Sequence, residues 1–551
     1  MKIEEIIRDI FKEKGIDNII ISRPPKIEMG DYSVATFNID YKGIKNPLEK
    51  AKALVKDMKS SYFKKIDVMG AYINFYLDYD LFNKEVIKEI LNNKNYGSMN
   101  QGKNSNMLIE HTSINPNASP HIGRSRNSLL GDFIYRLYSF AGYKVERNYF
   151  INDIGKQIAM LVLGVKRENI KKLDFKEMLD LYVRINEEME KDPSLEEEVF
   201  NLLHLLESGD KETIKKFREI TDTCIKGQTA IFKSLGIEFD RFTHESDLLF
   251  NGDVKTTLEE FKKSGKLKED ENGRYYLDLS SYDIPTKSPV LVLTREDKTS
   301  LYPLRDIAYT KYKIKRNSVH NLIVLGEDQK VYMKQIEAAM DILGYKSPTL
   351  ISYSFVLLSG EKMSTRSGKV VLLEDFINET KEKLKLSFKE RNLSINEKDL
   401  NIITGACIKY AMLGVSKEKN VNFNIDKATE FNGNTGLYIL YNIVRINSIL
   451  NNETLKECTF KYDNLIENDL IKQMADFPRL VDSLLTSFDA ASLVNYIYTL
   501  TKTFAKYYEE VNIKNIDDDD MKQAKLYLIK SIKIVLTNAL NILGIKTVEK
   551  M

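Results

Sequence analysis

The sequence predicts a multidomain α/β protein in three parts: a small N-terminal α+β module, a parallel-sheet domain with a helical insertion, and a C-terminal all-α region. Three observations carry this. The first hundred or so residues mix an amphipathic helix with short alternating strands. From residue 106 short apolar strands alternate with helices, the βαβα rhythm of a parallel sheet with crossover helices. After residue 375 helical patterning runs almost to the end of the 551 residues. That length suits three or four domains at roughly 150 residues each.

In order, residues 2–14 read as a helix with Ile3, Ile6, Ile7, Ile10 and Phe11 on one face. Gly30-Asp31-Tyr32-Ser33 is a turn into a short strand. Residues 47–58 form a second helix with a proline near its start. Residues 66–79 form strand, turn and strand around Gly70, and 81–93 a third helix. Residues 94–105 are a polar, glycine-containing linker. A strand at 107–112 runs into a Pro/Asn/Gly-rich loop, followed by a helix at 125–142, a strand at 144–151 and a helix at 154–165. Residues 166–236 are helical and charged, and read as an insertion. The rhythm then resumes with strands at 275–279, 290–293 and 321–326, a helix at 329–343 and a strand at 350–357. The acidic run 517–520 is a loop or a helix start. The domains are therefore expected at 1–103, 104–374 and 375–551.

Hydrophobic residues make 43% of the chain and charged residues 29%, as in ordinary globular enzymes. The formal net charge is only +2, so a nucleic-acid surface has to come from uneven placement of charge. Basic clusters at 311–316 and 381–385 offer such placement, or are simply solvated helix faces. The three cysteines, Cys224, Cys407 and Cys458, are far apart and suggest neither a zinc knuckle nor a disulfide framework. A reduced, cytoplasmic setting fits. The N-terminus is too acidic for a signal peptide, and no run of 18 apolar residues suggests a membrane span.

Two short motifs carry the chemistry. Asn115-Pro116-Asn117-Ala118-Ser119-Pro120-His121-Ile122-Gly123-Arg124 follows the first strand of the expected parallel sheet. That is the edge where open α/β sheets bind ligands, and the next helix offers its N-terminal amides to phosphate. Gly123 permits close backbone approach, while His121 and Arg124 can donate to phosphate oxygens as charge builds there. A helix-capping loop with a structural histidine is the bland alternative. Lys362-Met363-Ser364-Thr365-Arg366-Ser367-Gly368-Lys369 combines three cations with three hydroxyls, suited to closing over a pyrophosphate leaving group. An exposed basic turn is the alternative there.

Together and in this order, the motifs resemble the HIGH and KMSKS signatures of class I aminoacyl-tRNA synthetases. The chain resembles the arginyl-tRNA synthetases along nearly its whole length. Glu110, Ser113 and Asn115 precede the HIGH-like motif. Residues 148–157 resemble an N-D-x-G-x-Q block, 301–309 a Y-x-x-x-D segment, and 436–445 the GPY-x-QY-x-x-x-R helix of an anticodon domain. The last residues resemble a terminal LGI followed by Glu-Lys-Met.

The resemblance implies a Rossmann-type catalytic domain with a helical insertion, an N-terminal additional domain that contacts the tRNA elbow, and a C-terminal anticodon-binding domain. It implies L-arginine, ATP with Mg2+, and tRNA(Arg) as reactants, and a monomer. His121, Arg124, Lys362 and Ser364 would be catalytic, with Pro120, Gly123 and Met363 completing an ATP site. Glu110, Ser113, Asn115, Gln157, Tyr302, Asp306 and Gln329 would bind arginine. Asp306 would meet the guanidinium, a fixed fork of donors that never deprotonates. An ion pair of Asp306 with Arg305 or a nearby lysine is the structural alternative. Tyr438, Tyr441, Arg445 and Met551 would bind tRNA, although Tyr438 and Tyr441 could equally be core residues. No protein carboxylate stands out as a metal ligand.

The chain departs from the family pattern in several places. Arg124 replaces the second HIGH histidine, Ala118 a common lysine, Ile154 a common tryptophan, Leu437 a proline and Leu440 a glutamine. A class I synthetase for another amino acid and a non-catalytic tRNA-binding paralogue remain open. The scattered cysteines count against a zinc-using cysteine enzyme, and Asp306 counts against a glutamate pocket.

Overall fold

The computed structural model describes residues 3–316, 320–358, 361–362 and 371–551. Contacts divide the chain into two compact units. One comprises Ser98–Val444, Leu480–Tyr498 and Ala539–Met551; the other comprises Met1–Gly97, Arg445–Arg479 and Thr499–Asn538.

The larger unit is built on a five-stranded parallel sheet. Its strands lie in the order Thr349–Tyr353, His320–Gly326, Asn106–Glu110, Lys144–Ile151 and Arg241–His244. Met107, Leu108 and Ile109 are all buried, because the central strand of a parallel sheet is covered on both faces. Helix Ile122–Phe140 follows that strand and buries Phe133, Ile134 and Leu137. Gly131 permits its close approach: a Cβ there would lie 2.2 Å from the ring of His111. Helices Met178–Lys191, Ser194–Glu207 and Lys211–Ser234 pack on helix Lys156–Arg167 through Leu181, Ile185, Val199 and Phe217.

Several expectations are corrected. The stretch expected as one strand at 107–112 ends at Glu110, because Thr112 and Ser113 take positive φ of 74° and 45°. The next helix begins at Ile122 rather than 125, so Gly123 and Arg124 belong to its first turn. The fifth strand of the parallel sheet, Arg241–His244, was not expected, being only four residues long. Strands Tyr275–Asp278 and Val290–Val292 do not continue the parallel rhythm. They form a separate antiparallel sheet with Leu267–Glu269. The stretch 350–357 is two strands, broken where the buried guanidinium of Arg126 draws in the Ser354 carbonyl at 2.6 Å. Of the basic cluster 311–316, Lys311 and Lys313 are buried rather than solvated.

In the other unit, a four-stranded antiparallel sheet runs in the order Ile21–Ser22, Tyr32–Ala35, Tyr72–Leu77, Phe63–Met69. Helix Ile3–Lys12 buries Ile3, Ile7, Ile10 and Phe11. Asp31 accepts from the Leu77 amide at 2.9 Å and from Lys472 at 2.9 Å, which explains an acid in that turn. Among the described residues no helix is long and apolar enough to cross a membrane, and no group of three His, Cys, Asp or Glu could hold a metal ion.

Candidate active site

The first motif caps helix Ile122–Phe140. His121 is its N-cap residue in extended conformation, with no side-chain cap bond, so the motif meets the positive end of the helix dipole. The backbone around it pairs with a segment 250 residues away. The Ile122 amide donates to the Val371 carbonyl at 3.0 Å, the Leu373 amide donates to Pro120 at 2.8 Å, and His121 bridges Leu372. Ser119 adds a bond to Glu374 at 2.9 Å. The chain leaving the second motif is thereby laid along the first. Burial, and then the charge of Arg124, hold the His121 imidazole well down, at about 4, so it is neutral at physiological pH. Its Nδ1 is buried without a hydrogen-bond partner among the described residues. Arg124 is exposed in the first helical turn.

In the second motif, Glu361–Lys362 is a short strand antiparallel to Val356–Leu358. Met363 and Ser364, with the rest of the motif to Lys369, lie outside the described residues. The strand Val356–Leu358 has a firm anchor. Arg126 donates to four carbonyls, those of Ser354, Val415, Ser416 and Lys419, from inside the protein.

At the C-terminal ends of strands Asn106–Glu110 and Arg241–His244 lies a cluster of acids. Helix Tyr302–Lys315 carries Asp306, Tyr309 and Lys313 on one face, spaced three and four apart. Lys313, 1% exposed at its side chain, donates to Glu110 at 2.5 Å. Its Nζ also lies 4.3 Å from the centre of the Tyr309 ring. Arg305 forms a buried ion pair with Glu245 and donates to the Ser300 carbonyl at 2.8 Å. Glu110 and Glu245 are thus matched by cations. Asp306 has no cation partner among the described residues, which removes the ion-pair alternative; it accepts instead from the Tyr332 hydroxyl. Burial first, then the charges of Glu245 and Glu110, push its carboxyl up to about 7. Tyr302, 55% exposed, leans against Tyr332 with ring centres 5.2 Å apart. The result is one unmatched acid flanked by two aromatic rings.

The other candidates lie on the same unit, except Arg445, which belongs to the smaller one. Asn115 and Gln157 are bonded to each other at 3.0 Å, and Gln157 reaches Tyr182 at 3.4 Å. Ser113 accepts from the Phe150 amide at 3.1 Å. Gln329 is half-buried in a short 3-10 turn and donates to Asp328. In helix Gly436–Asn451, Tyr438 and Tyr441 are half-buried, with rings near Tyr498 and Phe431 respectively. Arg445 lies over the Tyr508 ring at 5.4 Å. Gly436 is required by the packing: a Cβ would come 2.7 Å from the Ala406 carbonyl. The unusual residues Ala118, Ile154, Leu437 and Leu440 are all buried, so each serves packing here. Met551 is half-buried at the chain end.

The sequence reading missed Tyr332 and the pairs Lys313–Glu110 and Arg305–Glu245. Spacing held a partial signal: Lys313 is one helical face with Asp306, and Tyr332 follows Gln329 by three residues.

A parallel sheet with a HIGH-like helix cap, and with the segment that follows a second basic motif paired beside that cap, points to a class I aminoacyl-tRNA synthetase. Residues 86–425 match the family described as tRNA synthetases class I (R), catalytic domain. Residues 1–77 match the arginyl tRNA synthetase N terminal domain, and 439–551 the DALR anticodon binding domain. The arginine–tRNA ligase of Methanocaldococcus jannaschii is 35% identical over 569 residues, covering 100% of this chain and 98% of its own. That of Clostridium acetobutylicum is 31% identical, covering 97% and 96%. The fold matches Thermus thermophilus arginyl-tRNA synthetase with a TM-score of 0.85 at 23% identity, covering 100% of this chain and 99% of the other. The chain belongs to the class I arginyl-tRNA synthetase family.

Proposed function

We propose that this arginine–tRNA ligase selects its amino acid with Asp306 and drives the chemistry with His121, Arg124, Lys362 and Ser364. The reaction has two steps. The arginine carboxylate attacks the α-phosphorus of ATP, giving arginyl-adenylate and pyrophosphate. A terminal ribose hydroxyl of tRNA(Arg), the 2′-OH by class analogy, then attacks the adenylate carbonyl and releases AMP. Neither step needs a side-chain nucleophile, so catalysis is positioning and charge stabilisation.

Neutral His121 donates a hydrogen bond to phosphate oxygens without bringing its own charge, while Arg124 supplies the cation. Pro120 and Gly123 keep the backbone close to the nucleotide. Lys362, Met363 and Ser364 cover the pyrophosphate. Mg2+ enters with ATP as part of the substrate. Asp306 takes the guanidinium, and Tyr302 stacks on it. Glu110, by way of its pair with Lys313, shapes the pocket floor. Asn115 and Gln157 orient the arginine amino and carboxylate groups, and Ser113 and Gln329 complete the arginine pocket. Tyr438, Tyr441 and Arg445 meet the anticodon, Met551 also contacts tRNA, and residues 1–103 meet the tRNA elbow. The enzyme acts as a cytoplasmic monomer, and activates arginine poorly without tRNA.

The observation that carries the arginine assignment is that Asp306 has no cation partner among the described residues while its neighbours Glu110 and Glu245 are paired. The test is charging of total tRNA with each amino acid in turn. Incorporation of arginine alone is expected; charging with another amino acid, or with none, would overturn the reading.

A further inference from the structure

Asp306 differs from Glu110 and Glu245 in having no cation partner among the described residues, and the Tyr332 hydroxyl is its side-chain hydrogen-bond donor. Glu245 faces Asp306 from helix Glu245–Phe250 and Glu110 from the central strand; both oppose its ionisation. Arg305 on its own helix favours ionisation but is engaged by Glu245. Lys313 is engaged by Glu110, and the Tyr309 ring lies against it. Tyr332, on helix Lys330–Ile342, therefore supplies the hydrogen bond to the carboxylate itself, at Oδ2. Its ring also backs Tyr302, the exposed aromatic at the mouth.

We infer that Tyr332 is a positioning residue for arginine selection: its hydroxyl favours the carboxylate form of Asp306 and holds it turned so that Oδ1 faces the guanidinium, while its ring fixes the stacking face of Tyr302. This rests on Asp306 being the guanidinium acceptor. A protonated acid offers a cation no charge, so a neutral Asp306 would lose most of its affinity. A hydroxyl donating to a carboxylate favours the ionised form. Removing it leaves Glu110 and Glu245 to drive Asp306 toward its neutral state.

The test is Tyr332→Phe, which keeps the ring and its packing, with Asp306→Asn in parallel. Steady-state charging of tRNA(Arg) is followed against arginine concentration across the neutral pH range, and the KM for ATP reports an intact fold. In Tyr332→Phe the KM for arginine is expected to rise roughly tenfold with kcat largely retained, as befits a lost hydrogen bond to a charged group. The acid limb of kcat/KM for arginine should move to higher pH by about one unit. In Asp306→Asn that limb should vanish. If Asp306→Asn keeps the wild-type KM for arginine, the acceptor assignment itself fails, and this inference with it. If Asp306→Asn raises KM but Tyr332→Phe has wild-type KM and an unmoved limb, the assignment stands and Tyr332 has no positioning role. A lower KM in Tyr332→Phe would show that the hydroxyl competes with arginine, and would overturn the inference.

Discussion

Around Asp306, charged groups are buried and matched one against another; along helix Gly436–Asn451, the candidate residues are half-buried rings and a cation resting on aromatic faces. On the proposed assignment the two regions take different ligands. A small rigid cation is recognised by one unmatched charge in a dry setting, where an unpaired partner costs most. Unstacked bases are recognised by exposed ring faces and edge contacts, which tolerate solvent. The same substitution logic should therefore give different signatures in the two places: loss of fold or of arginine in the first, loss of tRNA discrimination in the second.

The largest effect is expected from Lys313→Met. It leaves Glu110 buried and uncompensated, a change that costs about 3–5 kcal/mol. Thermal unfolding measures it, and an unshifted melting curve would show that the pair is not what holds the pocket floor. Next comes His121→Ala, expected to slow adenylate formation by ~10²–10³ while the KM for arginine changes far less. Pre-steady-state ATP consumption reads this; full turnover in the variant would reduce His121 to a helix cap. Lys362→Ala should behave in the same way.

A smaller effect is expected from Tyr438→Ala, roughly 1–3 kcal/mol in tRNA charging for a lost base stack. Discrimination against tRNA with an altered central anticodon base should weaken with it. A variant that only melts earlier, with discrimination intact, would move this helix into the class of packed core and erase the contrast with the Asp306 region. The smallest effect concerns His111. Burial depresses its pKa from 6.5 to about 3. The unfolded chain thus binds a proton the native state refuses, so the stability it contributes is full above pH 6.5 and falls as pH drops toward the folded value. About 1 kcal/mol should be lost over the first pH unit below 6.5. Denaturant titrations of wild type and His111→Gln compare this directly, the variant being expected to lose less on acidification.

Local features were legible in the sequence, and distant ones were not. The strand at Asn106–Glu110 and the helix after it follow from short-range patterning, while His121, Asp306 and Tyr438 come forward as candidates through motifs that resemble the family's. The strand Arg241–His244 is too short to show periodicity, and only its pairing with Lys144–Ile151 makes it part of the parallel sheet. Residues 275–292 alternate like any strand, and nothing local tells a parallel neighbour from an antiparallel one. Lys311 and Lys313 look like solvated charges until Glu260 and Glu110, far away in sequence, arrive to match them. Tyr332 escaped for the same reason: its hydroxyl bonds a carboxylate 26 residues earlier on another helix.

The contrast rests on Asp306, the acid of this cluster without a cation partner among the described residues, being the proposed acceptor of the guanidinium. Arginine and ATP affinities of Asp306→Asn, measured by calorimetry with tRNA(Arg) present, address it directly. Losing one half of a desolvated charge pair should weaken arginine binding by about 2–5 kcal/mol and leave ATP binding nearly unchanged. Arginine affinity equal to that of the wild type would contradict the assignment.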